Sequence, residues 1–463
     1  MENRIDPHAN SPKFRYAFDR IKGLPIVRLK DYSEVIFSGI TPKSGGDAYT
    51  TDDGVLFIKS GSLSNDGTVT IDRTSQITHE IHNGLMKSSK LKKNDVLIAI
   101  VGATIGKVGL YNSDEEANIN QAIAAVRLKK EILPEFLTAY MLSPFGQTYL
   151  EYLKRPVARA NINLQEIGEI GIPLLPIERQ QQFVDVYNEA KKQKNEKYNQ
   201  ADKIRQCILS EFADAVQIEI PQVTEKLIDA LWLSSIKANV TKRLDPKCYS
   251  KKFQILRNEL NNSPFAKYKL CDFVTEITGG DWGVDAETQD DTRVKCLVLR
   301  ATEISNKDNI RISDEKAQYR RIAKDKLAAM NMEIGDIIIE KSGGSVDQPV
   351  GRVIFVDSLE YSGYPLAYSN FLTKIKVNRN LVDPCYLFEY LRFTYAIGLT
   401  EVMQNQTNGI RNLIIDEFLN QTIIVPENNV EIGLRMKALR MQAKQIEVEA
   451  ENQWQTAKLQ FEK

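Results

Sequence analysis

The sequence predicts an α+β protein written twice along one chain, with two similar globules and two long helices that pair as an antiparallel coiled coil. Three observations carry this expectation. An ordered set of short motifs recurs in the second half. Each copy mixes short β-branched runs with short helical stretches. Each copy also ends in a long segment nearly free of glycine and proline.

The repeat is legible motif by motif. Arg4-Ile5-Asp6-Pro7 returns as Arg243-Leu244-Asp245-Pro246, and Val27-Arg28-Leu29-Lys30-Asp31-Tyr32 as Tyr268-Lys269-Leu270-Cys271-Asp272-Phe273. Leu56-Phe57-Ile58-Lys59 answers Leu297-Val298-Leu299-Arg300, and Asn94-Asp95-Val96-Leu97-Ile98 answers Gly335-Asp336-Ile337-Ile338-Ile339. Gly106-Lys107-Val108 answers Gly351-Arg352-Val353, Asn120 answers Asn370, and Ile170-Gly171-Ile172-Pro173 answers Ile423-Ile424-Val425-Pro426. The order never breaks, which chance matches would not achieve. The organisation expected is an N-terminal segment 1–22 repeated at 240–264, a first globule at 23–176 and a long helix at 177–220. A helical connection at 221–264, a second globule at 265–426 and a second long helix at 427–463 complete it.

Within each globule, DVLIAIVG (95–102) and DIIIE (336–340) read as buried strands, while 135–152 and 384–398 read as short amphipathic helices. The long segments read differently. In the second, Met436, Leu439, Ala443, Ile446, Ala450, Trp454, Ala457 and Phe461 fall on a coiled-coil seam with one slip. Phe183, Tyr187, Ala190, Lys194, Tyr198, Ala201, Ile208 and Phe212 form a more polar seam in the first. A helix over 178–215 would be about 57 Å long.

Composition narrows the function. The chain has 463 residues, 61 basic and 61 acidic side chains, 42% hydrophobic and 26% charged content, which fits a soluble globular protein and excludes wholesale disorder. No apolar run approaches a membrane span, and MENRIDPHANSPKF lacks a secretory signal's apolar stretch, so a cytoplasmic protein without a membrane partner is expected. The 5 cysteines form no CxxC pair and suggest reduced thiols. Zero net charge argues against a protein that grips nucleic acid alone through bulk electrostatics.

Enzymatic constellations are missing. There is no phosphate loop with the Gly-x-x-x-x-Gly-Lys-Ser/Thr spacing, no His-Glu-x-x-His helix and no Gly-x-Ser-x-Gly elbow. Gly102-Ala103-Thr104-Ile105-Gly106-Lys107 lacks the required spacing and leads into a β-like run. No catalytic residue, bound cofactor or metal is therefore expected on this chain.

Other motifs carry a resemblance. Val101-Gly102-Ala103-Thr104-Ile105-Gly106-Lys107-Val108-Gly109 precedes Ala117-Asn118-Ile119-Asn120-Gln121-Ala122. Ala160-Asn161-Ile162-Asn163-Leu164 follows, then Ile172-Pro173-Leu174-Leu175-Pro176-Ile177-Glu178-Arg179-Gln180-Gln181. This succession resembles the DNA-specificity subunit of type I restriction–modification systems. The second copy joins through Gly343-Gly344-Ser345, Pro349-Val350-Gly351-Arg352-Val353 and Ser369-Asn370. It departs where Asn161-Ile162-Asn163 meets Gly409-Ile410-Arg411, and where a single Pro426 replaces Pro-Leu-Leu-Pro.

The resemblance implies two target-recognition domains, each reading half of a split sequence in double-stranded DNA. It also implies partner methyltransferase subunits that bind S-adenosylmethionine, and restriction/translocase subunits that use ATP and Mg. A protein-binding adaptor is the alternative from another class, and a stand-alone nuclease is a distant third.

Candidate DNA contacts follow from side-chain type. The first globule's loop 60–93 offers Arg73, His79, His82, Lys87, Lys90 and Lys92. The second offers Arg311, Lys316, Arg320, Arg321, Lys324 and Lys326 instead. Base-reading candidates are Arg73, Gln76, Arg159 and Asn161 in the first globule, and Arg300, Gln348, Asn408 and Arg411 in the second. Lys107 and Arg352 occupy matched glycine-rich turns as phosphate contacts or as solvated turn residues. Asn120 and Asn370 read as turn caps rather than DNA contacts.

Overall fold

The computed structural model describes residues 11–19, 25–43, 47–155, 160–221, 245–313, 317–345, 348–407 and 409–460. The chain divides into two compact units, residues 1–198 with 448–463, and residues 199–447. Each unit therefore holds one globular module and a part of each long helix.

The two modules have the same topology. In the first, a four-stranded antiparallel sheet runs in the order Ser33–Ser38, Ile123–Leu128, Asp95–Ala99, Val108–Tyr111. In the second the order is Val274–Gly279, Leu372–Val377, Ile337–Glu340, Val353–Phe355. The central runs Asp95–Ala99 and Ile337–Glu340 are buried at every residue and paired on both edges, as their continuous β-branched character requires. A second sheet in each module is built on one parallel pair, Val55–Ile58 with Ala117–Ile119 and Arg293–Leu299 with Tyr364–Tyr368. A short antiparallel pair, Ile26–Arg28 with Gly171–Pro173 and Ala266–Lys269 with Thr422–Val425, closes each module.

Hydrogen-bond register shifts three of the matches made on residue identity. The Ile123 and Leu372 amides donate to Asn120 and Ser369, and the Asn120 and Ser369 amides donate to Ile58 and Leu299. Asn120 is thus equivalent to Ser369, and Gln121 to Asn370. The Leu29 and Leu270 amides donate to Ile170 and Gln421, so Ile170 matches Gln421 rather than Ile423. Asn161 pairs with Val101 as Asn412 pairs with Ser342, which replaces the match to Gly409. Similar letters lay one to three residues away, but backbone bonds set the true correspondence.

The segment 135–152 is two helices, Pro134–Leu142 and Pro144–Leu153, where one was expected. The break is local chemistry: Ser143 sits in extended backbone before Pro144 and caps the second helix by accepting from the Gly146 amide. Helix Pro134–Leu142 is buried from Phe136 through Leu142, so it is a core helix rather than an amphipathic one. Its counterpart Pro384–Ala396 is one helix, buried at nine of its residues.

The long helices are Ile177–Ala215 and Asn429–Leu459. In the first unit Tyr187 packs on Trp454 with ring centroids 4.7 Å apart, Lys194 pairs with Glu451 at 2.8 Å and Lys197 with Glu449 at 3.6 Å. In the second unit Arg205 pairs with Glu447 at 2.6 Å and Glu211 with Arg435 at 2.7 Å. Numbers rise on one helix as they fall on the other, so the pairing is antiparallel. Met436, Ala443, Ala450, Trp454 and Ala457 are buried on the expected seam, with Ala201, Ile208 and Phe212 opposite. Leu439 and Ile446 are half-buried, and Phe461 lies outside the described residues. Small alanines let the backbones approach, and Trp454 joins the first module's hydrophobic core. Among the described residues, no helix is long and apolar enough to cross a membrane.

All five cysteines are free, with Cys207 and Cys271 exposed and Cys248, Cys296 and Cys385 buried. Burial pushes the Cys296 thiol up to about 11 and the Cys385 thiol up to about 12. Native maleimide labelling at neutral pH is expected to modify only Cys207 and Cys271, read by intact mass; rapid labelling of Cys296 would contradict this packing. Trp454→Ala should cost about 3–5 kcal/mol in chemical denaturation, because it empties an aromatic site in a closed core.

Candidate nucleic-acid interface

Each central strand leaves its sheet through a glycine-rich turn and returns beside itself. Gly106 and Gly351 hold the equivalent return position with φ of +101° and +104°, a conformation that favours glycine. An added Cβ at Gly106 would also lie 2.9 Å from Gln147 Oε1. The next residue is Lys107 or Arg352, whose carbonyl accepts from the Ala99 or Glu340 amide.

The two turn cations then diverge. Lys107 is half-buried, and its module has Ala99 on the neighbouring strand. Arg352 is only 8% exposed and donates from Nε and Nη2 to both Glu340 carboxylate oxygens, at 2.8 and 2.7 Å. Its remaining donors reach the Ile304 and Ala301 carbonyls at 3.2 and 2.9 Å. Arg352 is therefore not a phosphate contact as expected; its fork closes a buried ion pair. Glu340, the partner that decides this, stood in a run read only as strand.

Other candidates are also engaged. Arg73 makes a two-pronged pair with Glu115 at 2.8 and 3.0 Å, although it remains exposed. Gln76 accepts from the Gly54 amide at 2.8 Å and donates to the Arg73 carbonyl at 2.7 Å, so its amide is committed to the loop rather than to a base. Arg300 is held by Glu303, which also accepts from the Arg300 amide at 2.7 Å. Arg320 donates to the Trp282 carbonyl at 3.2 Å and lies 4.9 Å from the Trp282 ring centroid. Arg321 donates to the Ala286 carbonyl at 3.1 Å. These arginines brace loops, as the fixed donor fork of guanidinium suits.

The lysines behave otherwise. Lys87, Lys92, Lys324 and Lys326 are exposed, while Lys90 donates to Asn83 Oδ1 at 2.6 Å. His79 lies 4.0 Å from Asp53, but His82 is buried, with Nδ1 2.5 Å from Asn118 Oδ1 and Nε2 3.4 Å from Glu116. His82 thus belongs to a buried polar cluster rather than to a basic surface. Gln348 is exposed beside the Arg352 guanidinium. Arg411 is half-buried and takes the place of Ala160; Arg311 is exposed. Arg159, Asn408 and Lys316 lie outside the described residues.

Asn120 is a turn cap, accepting from the Ala122 amide at 3.2 Å. It borders a concavity of about 440 Å³ formed with Thr41, Val101, Gln121, Ala122 and Asn161. Gln121 was not among the expected residues; its place beside the Asn120 turn was the available signal. Among the described residues, no group of three or more His, Cys, Asp or Glu side chains could hold a metal ion.

Comparison with known proteins falls on this same framework. The family model for the type I restriction modification DNA specificity domain matches residues 22–204. The Escherichia coli type I restriction enzyme EcoBI specificity subunit is 36% identical over 163 residues, which is 34% of this chain and 34% of that one. The chain thus matches about a third of the length of that relative. A chain solved in work on complex assembly and conformational transition of the type I R-M system covers 96% of this chain and 98% of its own. Its TM-score is 0.50 at 14% identity, a likeness of fold. The S subunit from M. genitalium gives 0.42 at 12% identity, over 95% of this chain and 96% of that one. Residues 265–426 repeat the module topology of the segment that this family model matches.

Arg352→Ala is expected to destabilise the fold by about 3–5 kcal/mol, because it strands Glu340 in the interior. The double change Arg352→Met with Glu340→Met should restore most of that loss in urea denaturation. Lys107→Ala should leave the midpoint within about 0.5 kcal/mol. Equal small effects at both turns would show that Arg352 is not structural.

Proposed function

We propose that the chain is the non-catalytic DNA-recognition subunit of a type I restriction–modification system. Each module reads one half of a bipartite duplex target, and the chain directs partner subunits to it. The observation that carries this reading is a shared framework with exchanged surface chemistry. Topology and backbone register repeat between modules, whereas half-buried Val101 becomes Ser342 and half-buried Ala122 becomes the exposed Phe371. Constant scaffolds with divergent rims suit two readers of different sequences.

In this reading, exposed Lys87, Lys92 and Lys324, with half-buried Lys107, supply phosphate contacts and give binding its salt dependence. Methyltransferase subunits bring S-adenosylmethionine and modify adenine, while restriction/translocase subunits bring ATP and Mg. The chain works in the cytoplasm as part of that assembly.

The test is methylation sequencing of a host expressing the chain with its methyltransferase partner. One bipartite motif with a modified adenine in each half is expected, and its absence overturns the proposal in favour of a protein-binding adaptor. Replacing residues 23–176 with another family member's module should change one half-site alone; change in both halves would refute independent reading.

A further inference from the structure

We propose that Asn161 is a specificity-determining residue of the first module and reads an adenine in its half-site, with Gln121 beside it. This inference rests on the DNA-reading role proposed above. Adenine presents an N7 acceptor and an N6 donor in the major groove, and a side-chain amide with both ends free matches that pair.

Asn161 meets this requirement. Its backbone is pinned, because the Gly102 amide donates to the Ala160 carbonyl at 2.9 Å and the Ile162 amide donates to the Ile100 carbonyl at 3.0 Å. Its side chain is exposed at the edge of the 440 Å³ concavity, and its amide has no hydrogen-bond partner among the described residues. An anchored backbone carrying an uncommitted polar end limits the ordering cost of recognition. Gln121 lies on the same rim and accepts the Thr41 amide through Oε1 at 3.1 Å, leaving its NH₂ available.

The second module shows why one neighbouring residue decides this. Asn412 is the counterpart of Asn161, but Ser342 stands where the first module has Val101, and the Ser342 hydroxyl donates to Asn412 Oδ1. Asn412 Nδ2 is directed to the Ile410 carbonyl at 3.5 Å. The same amide is thus tied down by one hydroxyl. Phe371, 45% exposed, also stands at the position of Ala122, where the first module keeps its concavity open. The Val101 side chain has no hydrogen-bonding group, so the Asn161 amide keeps both ends free among the described residues.

Two variants test the inference in the assembled methyltransferase complex. Asn161→Ala removes the reader, while Val101→Ser keeps Asn161 but supplies the hydroxyl that engages Asn412 in the other module. Both should relax discrimination at one A·T pair by about 10- to 100-fold, measured as relative methylation rates on a library randomised across the target. The relaxed pair should lie in the half-site that exchange of residues 23–176 alters, with the other half unchanged. If unmodified complex yields no bipartite motif, the DNA-reading role itself fails. If the motif is present and both variants keep every position intact, that role stands and the Asn161 assignment is overturned. Should Asn161→Ala fail to assemble, Val101→Ser decides the matter with the same readout.

Discussion

Each module depends on a central strand that is paired on both edges and buried on both faces. Asp95–Ala99 and Ile337–Glu340 cannot slip by one residue without exchanging the side-chain rows packed on their two faces and breaking two ladders at once. That constraint fixes where the chain leaves the sheet, and the turns ending at Gly106 and Gly351 inherit their position from it. Asn161 and Asn412 follow because they bridge to the residue two places beyond the strand's last matched pair, Val101 or Ser342. The rim is therefore placed by the core.

Charges are distributed according to the same logic. Asp95 is fully buried and takes a two-pronged pair from Arg127 on the neighbouring strand, at 2.9 and 2.7 Å. Its counterpart Asp336 instead faces the buried Lys374 ammonium at 3.4 Å. Glu389, also buried, is held by Arg440 from the long helix at 2.7 Å. Removing a single member of such a pair leaves an uncompensated charge inside, so the buried aspartate keeps a basic partner in each module even though that partner comes from a different strand position. The chain's 61 basic residues are consequently a poor measure of its grip on nucleic acid, since Arg73, Arg300 and Arg352 already face carboxylates within their own modules.

The long helices show how one sequence period serves two environments. Trp454 packs into the first module's core, while Ile208, Phe212 and Met436 pack into the second's. Alanines at 201, 443, 450 and 457 keep the seam narrow between these anchors. A uniformly large seam would drive the backbones apart and expose the anchors.

The repeat, the buried central strands and the helical seam were legible in the sequence because backbone pattern and apolar period are local properties. Two helices in place of one at 135–152 were also encoded locally, in Ser143-Pro144, although the apolar period ran across them. Site chemistry was less legible. Arg352 and Lys107 look alike in their turns, and only the carboxylate on an adjacent strand makes one of them structural. Asn161 and Asn412 carry the same amide, and the residue across the bridge determines whether it is free. Sequence by itself determined the doubling, the strands and the helices. Tertiary structure decided which polar groups are committed internally, because a hydrogen bond depends on which side chains distant segments bring within about 3 Å.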